Sequence, residues 1–166
     1  TTIYEGTTGI QANDLVGRKI AREGGVTIKG WLQMMQAVDA ELGKSKNADI
    51  ASIRASLSAG TKAVGECVDY IVATSGTDIK AAFAGAVPFL RLMGIVCGGW
   101  QMARAALVAE KKLAAGGGDA AFHKAKIATA RFYSDHLLVQ APGLAATMIR
   151  GSASVMAVPG EDMLAA

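Results

Sequence analysis

The chain has 166 residues, with 17 basic and 14 acidic side chains and a formal net charge of +3, and no run of Lys or Arg exceeds two. That balance, with aromatics at only 5%, excludes a nucleic-acid surface, which needs clustered cations and rings on which bases stack. The hydrophobic share of 51% comes largely from Ala, Val, Leu and Ile, a composition that suits one core of closely packed helices.

The first helix is expected to start near Thr8 or Gly9, with Thr7 and Thr8 as hydroxyl caps, and to end at Gly24-Gly25. Ile10, Leu15, Val16 and Ile20 form its apolar stripe. Ile28, Trp31, Leu32, Met35, Val38 and Leu42 then recur at helical spacing, and the segment Gly43 to Asn47 reads as a polar turn. In the next helix Ile50, Ile53, Leu57, Gly60, Val64, Cys67 and Ile71 alternate steps of three and four. That is a heptad seam with one small residue for close approach. Burying its five aliphatic side chains contributes about 1.5–3 kcal/mol each before entropy.

After Ser75-Gly76, Thr77 is the expected cap of a long helix that reaches Ala115 and is stopped by Gly116-Gly117-Gly118. Its length predicts a bend at Pro88 or a break at Gly98-Gly99. Asp119 caps a helix carrying Phe122, Ile127, Phe132, Tyr133 and Leu137. Pro142 suits the first turn of a final helix with Leu144, Met148, Ile149 and Val155. Pro159-Gly160 ends it, leaving a loose tail to Ala166 with Glu161 and Asp162 as tail charges. No alternating β-branched run and no hairpin dipeptide occurs. The fold class expected is all-α, an antiparallel helical bundle from about Val26 to Ala157 that folds cooperatively by itself. The first helix is expected to fray, or to dock on the bundle or on a second copy of the chain.

Cys67 and Cys97 are isolated among apolar neighbours and read as small buried hydrophobes, and the absence of a Cys-x-x-Cys pattern suits a reducing cytoplasm. Ala81 to Trp100 is apolar for the length of a membrane span, but Arg91 and Pro88 fall within it, so it reads as a bundle helix. His123 and His136, about 220° apart around a helix, do not share a metal. Asp135-His136 lacks a Ser or Cys partner at a recognisable spacing. Trp31 and Trp100 fit core positions.

The segment Tyr4-Glu5-Gly6-Thr7-Thr8-Gly9-Ile10-Gln11 holds a carboxylate in a tight turn that opens a helix. It resembles the catalytic turn of flavin-dependent acyl-CoA dehydrogenases. Trp31-Leu32, Gly99-Trp100-Gln101-Met102-Ala103-Arg104 and Ala130-Arg131-Phe132-Tyr133 to Leu137-Leu138 look like the C-terminal helical extension of larger bacterial members similar to 3-methylmercaptopropionyl-CoA dehydrogenase. The resemblance implies three parts: residues 1–25 as the end of the dehydrogenase helical domain, 26–158 as the extension, and 159–166 as the tail. It also implies a C-terminal fragment whose parent has a helical domain, a β-domain and most of a further helical domain upstream of Thr1.

For chemistry, the resemblance implies that Glu5 removes the α-proton of an acyl-CoA thioester while FAD takes the β-hydride, giving a trans-2-enoyl-CoA. Such a base must be placed against the proton and partly desolvated. Glu5 also supplies a backbone N–H to the thioester carbonyl, Gly6 lies along the substrate, and Thr7, Thr8, Gly9 and Gln11 contact the cofactor at the helix N-terminus. An electron-transferring flavoprotein as acceptor and a homo-oligomer are implied as partners. The 166 residues alone are expected to retain no FAD and to be inactive. The competing reading is a non-catalytic helical module for oligomerisation or partner binding.

Overall fold

A computed structural model describes residues 7–157, and every regular element among them is helical. α1 (Thr7–Val16) continues into a π-helical turn, Gly17–Ala21, closed where the Arg22 amide donates to the Gly17 carbonyl at 3.0 Å. The wider turn keeps Ala12, Val16 and Ile20 on one face, four residues apart, and all three are fully buried. The stripe read from the sequence is thereby corrected: Ile10 is 65% exposed and Leu15 only partly covered. Gly17 suits this turn because a Cβ there would lie 2.9 Å from the ring of Phe83. Gly24 and Gly25 take positive φ, 59° and 77°, which ends the helix as expected.

α2 (Val26–Leu42) buries Ile28, Leu32, Met35 and Leu42, whereas Trp31, expected in the core, is 48% exposed. The turn that follows is closed by Asn47, whose side chain accepts from the Asp49 amide at 2.9 Å and caps α3 (Ala48–Ser75). Every residue of the heptad seam is buried. α3 is the central strut: it runs antiparallel to α2, with Arg54 paired to Asp39 and Gly25 facing Val68 and Val72. It is likewise antiparallel to α5, since Ser45, just before it, bonds Glu110 while Gly60 faces Val96.

The long apolar stretch after Gly76 divides differently from expectation. Asp78, not Thr77, caps α4 (Ile79–Ala84), accepting from the Ala81 amide at 3.0 Å. The break falls at Gly85, and α5 runs unbroken from Ala86 to Ala114. Pro88 explains the place. Its ring would clash with the carbonyl of Ala84 in a continuous helix, so the chain breaks just upstream and Pro88 sits in the first turn of α5, where no amide donor is needed.

Gly98 and Gly99 do not break α5; they admit its neighbours. A Cβ on Gly98 would overlap the Tyr133 hydroxyl, and one on Gly99 would lie 2.8 Å from Leu138. α5 is long and apolar enough to cross a membrane by length and composition, and it packs against α1, α2, α3, α6 and α7.

Gly116 and Gly118, at φ 65° and 78°, turn the chain into α6 (Ala120–His136), capped by Asp119 through the Ala121 and Phe122 amides. α6 is antiparallel to α5 but buries Ile127, Ala130 and Ser134. Phe122 and Phe132, carried on the same helix, are 53% and 60% exposed. A short 3-10 turn, Leu138–Gln140, leads to α7 (Ala141–Arg150), with Pro142 in its first turn. α7 buries Ala141, Ala145 and Met148. The last helix then ends at Gly151, and Val155 lies exposed on a separate short α8 (Ser152–Val155). The predicted end at Pro159-Gly160 and the tail charges lie outside the described residues.

Among the described residues the fold is all-α, with one core that runs from Ala12 to Met148. Docking of the first helix on the bundle, one of the outcomes expected for it, is what α1 does: it packs along α5.

Candidate functional site

The opening turn of α1 carries the residues that the sequence singles out for a cofactor. Glu5 and Gly6 lie outside the described residues. Thr7 is already helical, one residue earlier than expected, so the cap position also falls outside them. Thr7 and Thr8 are half-covered, and Gly9 and Gln11 are exposed. The amides of a first helical turn have no acceptor within the helix. Among the described residues, nothing lies within 4 Å of the position a Cβ on Gly9 would take. Among the described residues the backbone at Gly9 is therefore uncovered, which suits the close approach of a flat group.

Further along α1, Asp14 accepts from Arg18 at 2.6 Å and lies 3.6 Å from Lys19. Beside it, a cavity of about 260 Å³ opens between α1, α2 and α5, walled by Leu15, Ile20, Ile28, Trp31 and Met93. Trp31 leans on Trp100, with ring centroids 6.4 Å apart. The buried indole N–H of Trp100 has no partner among the described residues.

No group of three or more metal-ligating side chains occurs among the described residues, and both histidines lie against phenylalanine rings. His123 meets Phe122 edge-on at 5.5 Å, and His136 lies tilted over Phe132 at 4.3 Å. Cys67 is fully buried, and desolvation, assisted by the nearby Glu66 carboxylate, pushes its thiol up to about 12. Burial raises the half-buried Cys97 as well. Neither thiol is therefore held as a thiolate. Tyr133 is raised by burial and then by Cys97, and its hydroxyl donates to the Ile95 carbonyl at 3.1 Å. One surface ion pair is bidentate: Arg54 donates to both oxygens of Asp39, at 2.9 and 2.8 Å. The bond from Arg54 holds the Asp39 carboxyl below its usual range against the opposing effect of partial burial.

Sequence reasoning missed a groove between α5 and α6. It is signalled by two aromatic-to-cation pairs at i,i+4, Trp100 with Arg104 and Phe122 with Lys126. Residues of that spacing share a helix face, and here the two faces meet.

Residues 31–159 match the family model described as "Acetyl-CoA dehydrogenase C-terminal like". The chain is 46% identical over 144 residues to 3-methylmercaptopropionyl-CoA dehydrogenase of Ruegeria pomeroyi, covering 83% of this chain and 23% of the relative. It is 30% identical over 145 residues to the broad-specificity linear acyl-CoA dehydrogenase FadE5 of Mycobacterium tuberculosis, covering 82% and 23%. Against butyryl-CoA dehydrogenase of Syntrophomonas wolfei it is 27% identical over 171 aligned positions, covering 98% and 27%. The chain thus spans about a quarter of the length of these relatives.

Proposed function

The chain belongs to the acetyl-CoA dehydrogenase C-terminal-like family, and from that we propose that it is the C-terminal part of an FAD-dependent acyl-CoA dehydrogenase. The observation that carries the proposal is the 46% identity to a named acyl-CoA dehydrogenase over 83% of the chain. Residues 1–25 then complete the catalytic helical domain, 26–158 form the extension and 159–166 a tail.

In that protein Glu5 takes the α-proton of the acyl-CoA onto its carboxylate, leaving the electron pair to form the α,β double bond. FAD, when bound, would supply the acceptor for the hydride that departs from the β-carbon. The backbone N–H of Glu5 bonds the thioester oxygen, where negative charge develops as the proton leaves. Gly6, with no Cβ, lets the acyl chain lie against the turn. Thr7, Thr8, Gly9 and Gln11 hold the cofactor at the start of α1, a role supported by the open space above Gly9. The product is a trans-2-enoyl-CoA, and electrons pass on to an electron-transferring flavoprotein. We place the protein in the cytoplasm as a homo-oligomer, without a membrane span: α5 gives up its apolar length to neighbouring helices.

The 166 residues alone hold too few contacts to retain a dinucleotide, so equilibrium dialysis against FAD is expected to find no stoichiometric binding. In the full-length parent, Glu5→Gln keeps the size of the side chain but cannot accept the proton. Anaerobic addition of acyl-CoA should bleach the flavin slower by about 10²–10⁴-fold, the usual contribution of a positioned base. Near-normal bleaching would move the base elsewhere.

A further inference from the structure

The groove between α5 and α6 has a volume of about 410 Å³ and carries Arg104, Ala105 and Val108 on one wall and Phe122, His123 and Lys126 on the other. Among the described residues no carboxylate lines it. Neither Arg104 nor Lys126 has an acidic partner among the described residues, unlike Lys111 and Arg131 on the same two helices. The carboxylates closest in sequence are already engaged. Asp119 accepts from two amides of its own helix, and Glu110 accepts from Ser45 on the far side of α5.

Both cations lie over rings instead. The Arg104 guanidinium is 5.4 Å from the Trp100 ring centroid, and the Lys126 ammonium is 5.1 Å from that of Phe122. Arg104 is further oriented by donating to the Gln101 side chain at 3.0 Å. Two cations with no acidic partner among the described residues therefore line one groove with an apolar floor, beside a half-exposed phenyl ring. Cations without a carboxylate partner suit an anion. The ring offers a face on which a flat group stacks.

Size selects the occupant. From Gln101 to Ala109 the α5 wall is about 12 Å long, and Phe122 to Lys126 is little more than one turn. That is room for one nucleotide-sized group rather than for a docked peptide helix, and the volume lies in the range of small-molecule sites.

We infer that the α5–α6 groove binds a small phosphate ester that carries a planar ring, an adenine mononucleotide being the simplest example. The phosphate draws Arg104 and Lys126 off their rings into the groove, and the base lies on the face of Phe122 that Lys126 vacates. The groove does so whether or not the parent protein is a dehydrogenase, since it is built from the side chains of the extension alone.

The test is titration of the isotope-labelled 166-residue chain with AMP, adenosine and inorganic phosphate separately, followed by amide and side-chain NMR and by tryptophan fluorescence. AMP should shift Gln101, Arg104, Val108, Phe122, His123 and Lys126 saturably. Tryptophan emission should change as Arg104 is drawn off Trp100, and binding should weaken as salt screens the charges. AMP should bind at least about ten-fold more tightly than either fragment, and the exposed double variant Arg104→Gln/Lys126→Gln should lose at least about ten-fold while its helix content is unchanged. Phosphate binding as well as AMP would overturn the ring contact. Adenosine binding as well as AMP would overturn the anion site. Shifts outside the groove, or no saturation by about 5 mM AMP, would overturn the proposal altogether.

Discussion

Replacing Gly98 by Ala sets two effects of known sign against each other. Gly98 lies inside α5, where Ala is favoured over Gly by about 1 kcal/mol through backbone entropy alone. Yet the added Cβ would overlap the Tyr133 hydroxyl and lie 2.9 Å from the ring carbon that bears it. The ring must move away, which breaks its 3.1 Å bond to the Ile95 carbonyl, at a cost of about 0.5–1.5 kcal/mol. Crowding of this kind costs a further ~1–3 kcal/mol. The net expectation is a loss of about 1–3 kcal/mol.

The decisive comparison is made in a Tyr133→Phe background, where the overlapping oxygen is gone. There, Gly98→Ala should cost at least about 1 kcal/mol less than in the native chain, a coupling within the range seen for side chains in contact. Urea unfolding followed by circular dichroism at the helix band measures both arms. If Gly98→Ala stabilises the chain with Tyr133 intact, or if the two substitutions are additive, then α5 and α6 are not held at the approach described.

Ile53→Ala, which empties a fully covered position on the α3 seam, should lower unfolding free energy by about 2–5 kcal/mol. Phe132→Ala, at an exposed site, should stay within about 0.5 kcal/mol; equal losses in denaturant would place Phe132 in the core after all. Alkylation in native buffer should modify half-buried Cys97 well before Cys67, and both equally in urea; equal native rates would contradict the packing around α3. Burial keeps the Cys67 thiol neutral up to about 12 against an ordinary value of 9.0. Its contribution to stability is therefore present below pH 9 and lost as pH rises towards 12. Cys67→Ala should flatten that alkaline decline in thermal unfolding scans, and an unchanged decline would assign it to other groups.

Where a helix has one apolar face at regular spacing, the sequence alone determined the outcome. The seam from Ile50 to Ile71 is buried at every position, Asp119 caps α6, and the glycines at 24, 25, 116 and 118 take the left-handed conformations that end helices. These are local consequences of periodicity, side-chain acceptors and the missing Cβ. The turn proposed as catalytic was likewise legible only as a local motif, and its Glu5 and Gly6 lie outside the described residues.

Tertiary packing decided the rest. Ile10, Trp31, Phe122 and Phe132 are as apolar as their buried neighbours, but each helix has only so much face to share, and α1, α2 and α6 each cover just one side of the α3–α5 pair. Small residues won the closest contacts: Ala12, Ala130 and Ala141 are buried because backbones approach there, a preference that a hydrophobic count does not reveal. At Gly17 the missing Cβ leaves the space that the Phe83 ring takes. The α5–α6 groove joins residues 101–109 to 122–126, and only the antiparallel return of the chain brings Arg104 and Lys126 into one groove. Spacing along a sequence fixes which residues share a helix face, but which faces meet is set by how the whole chain closes its core.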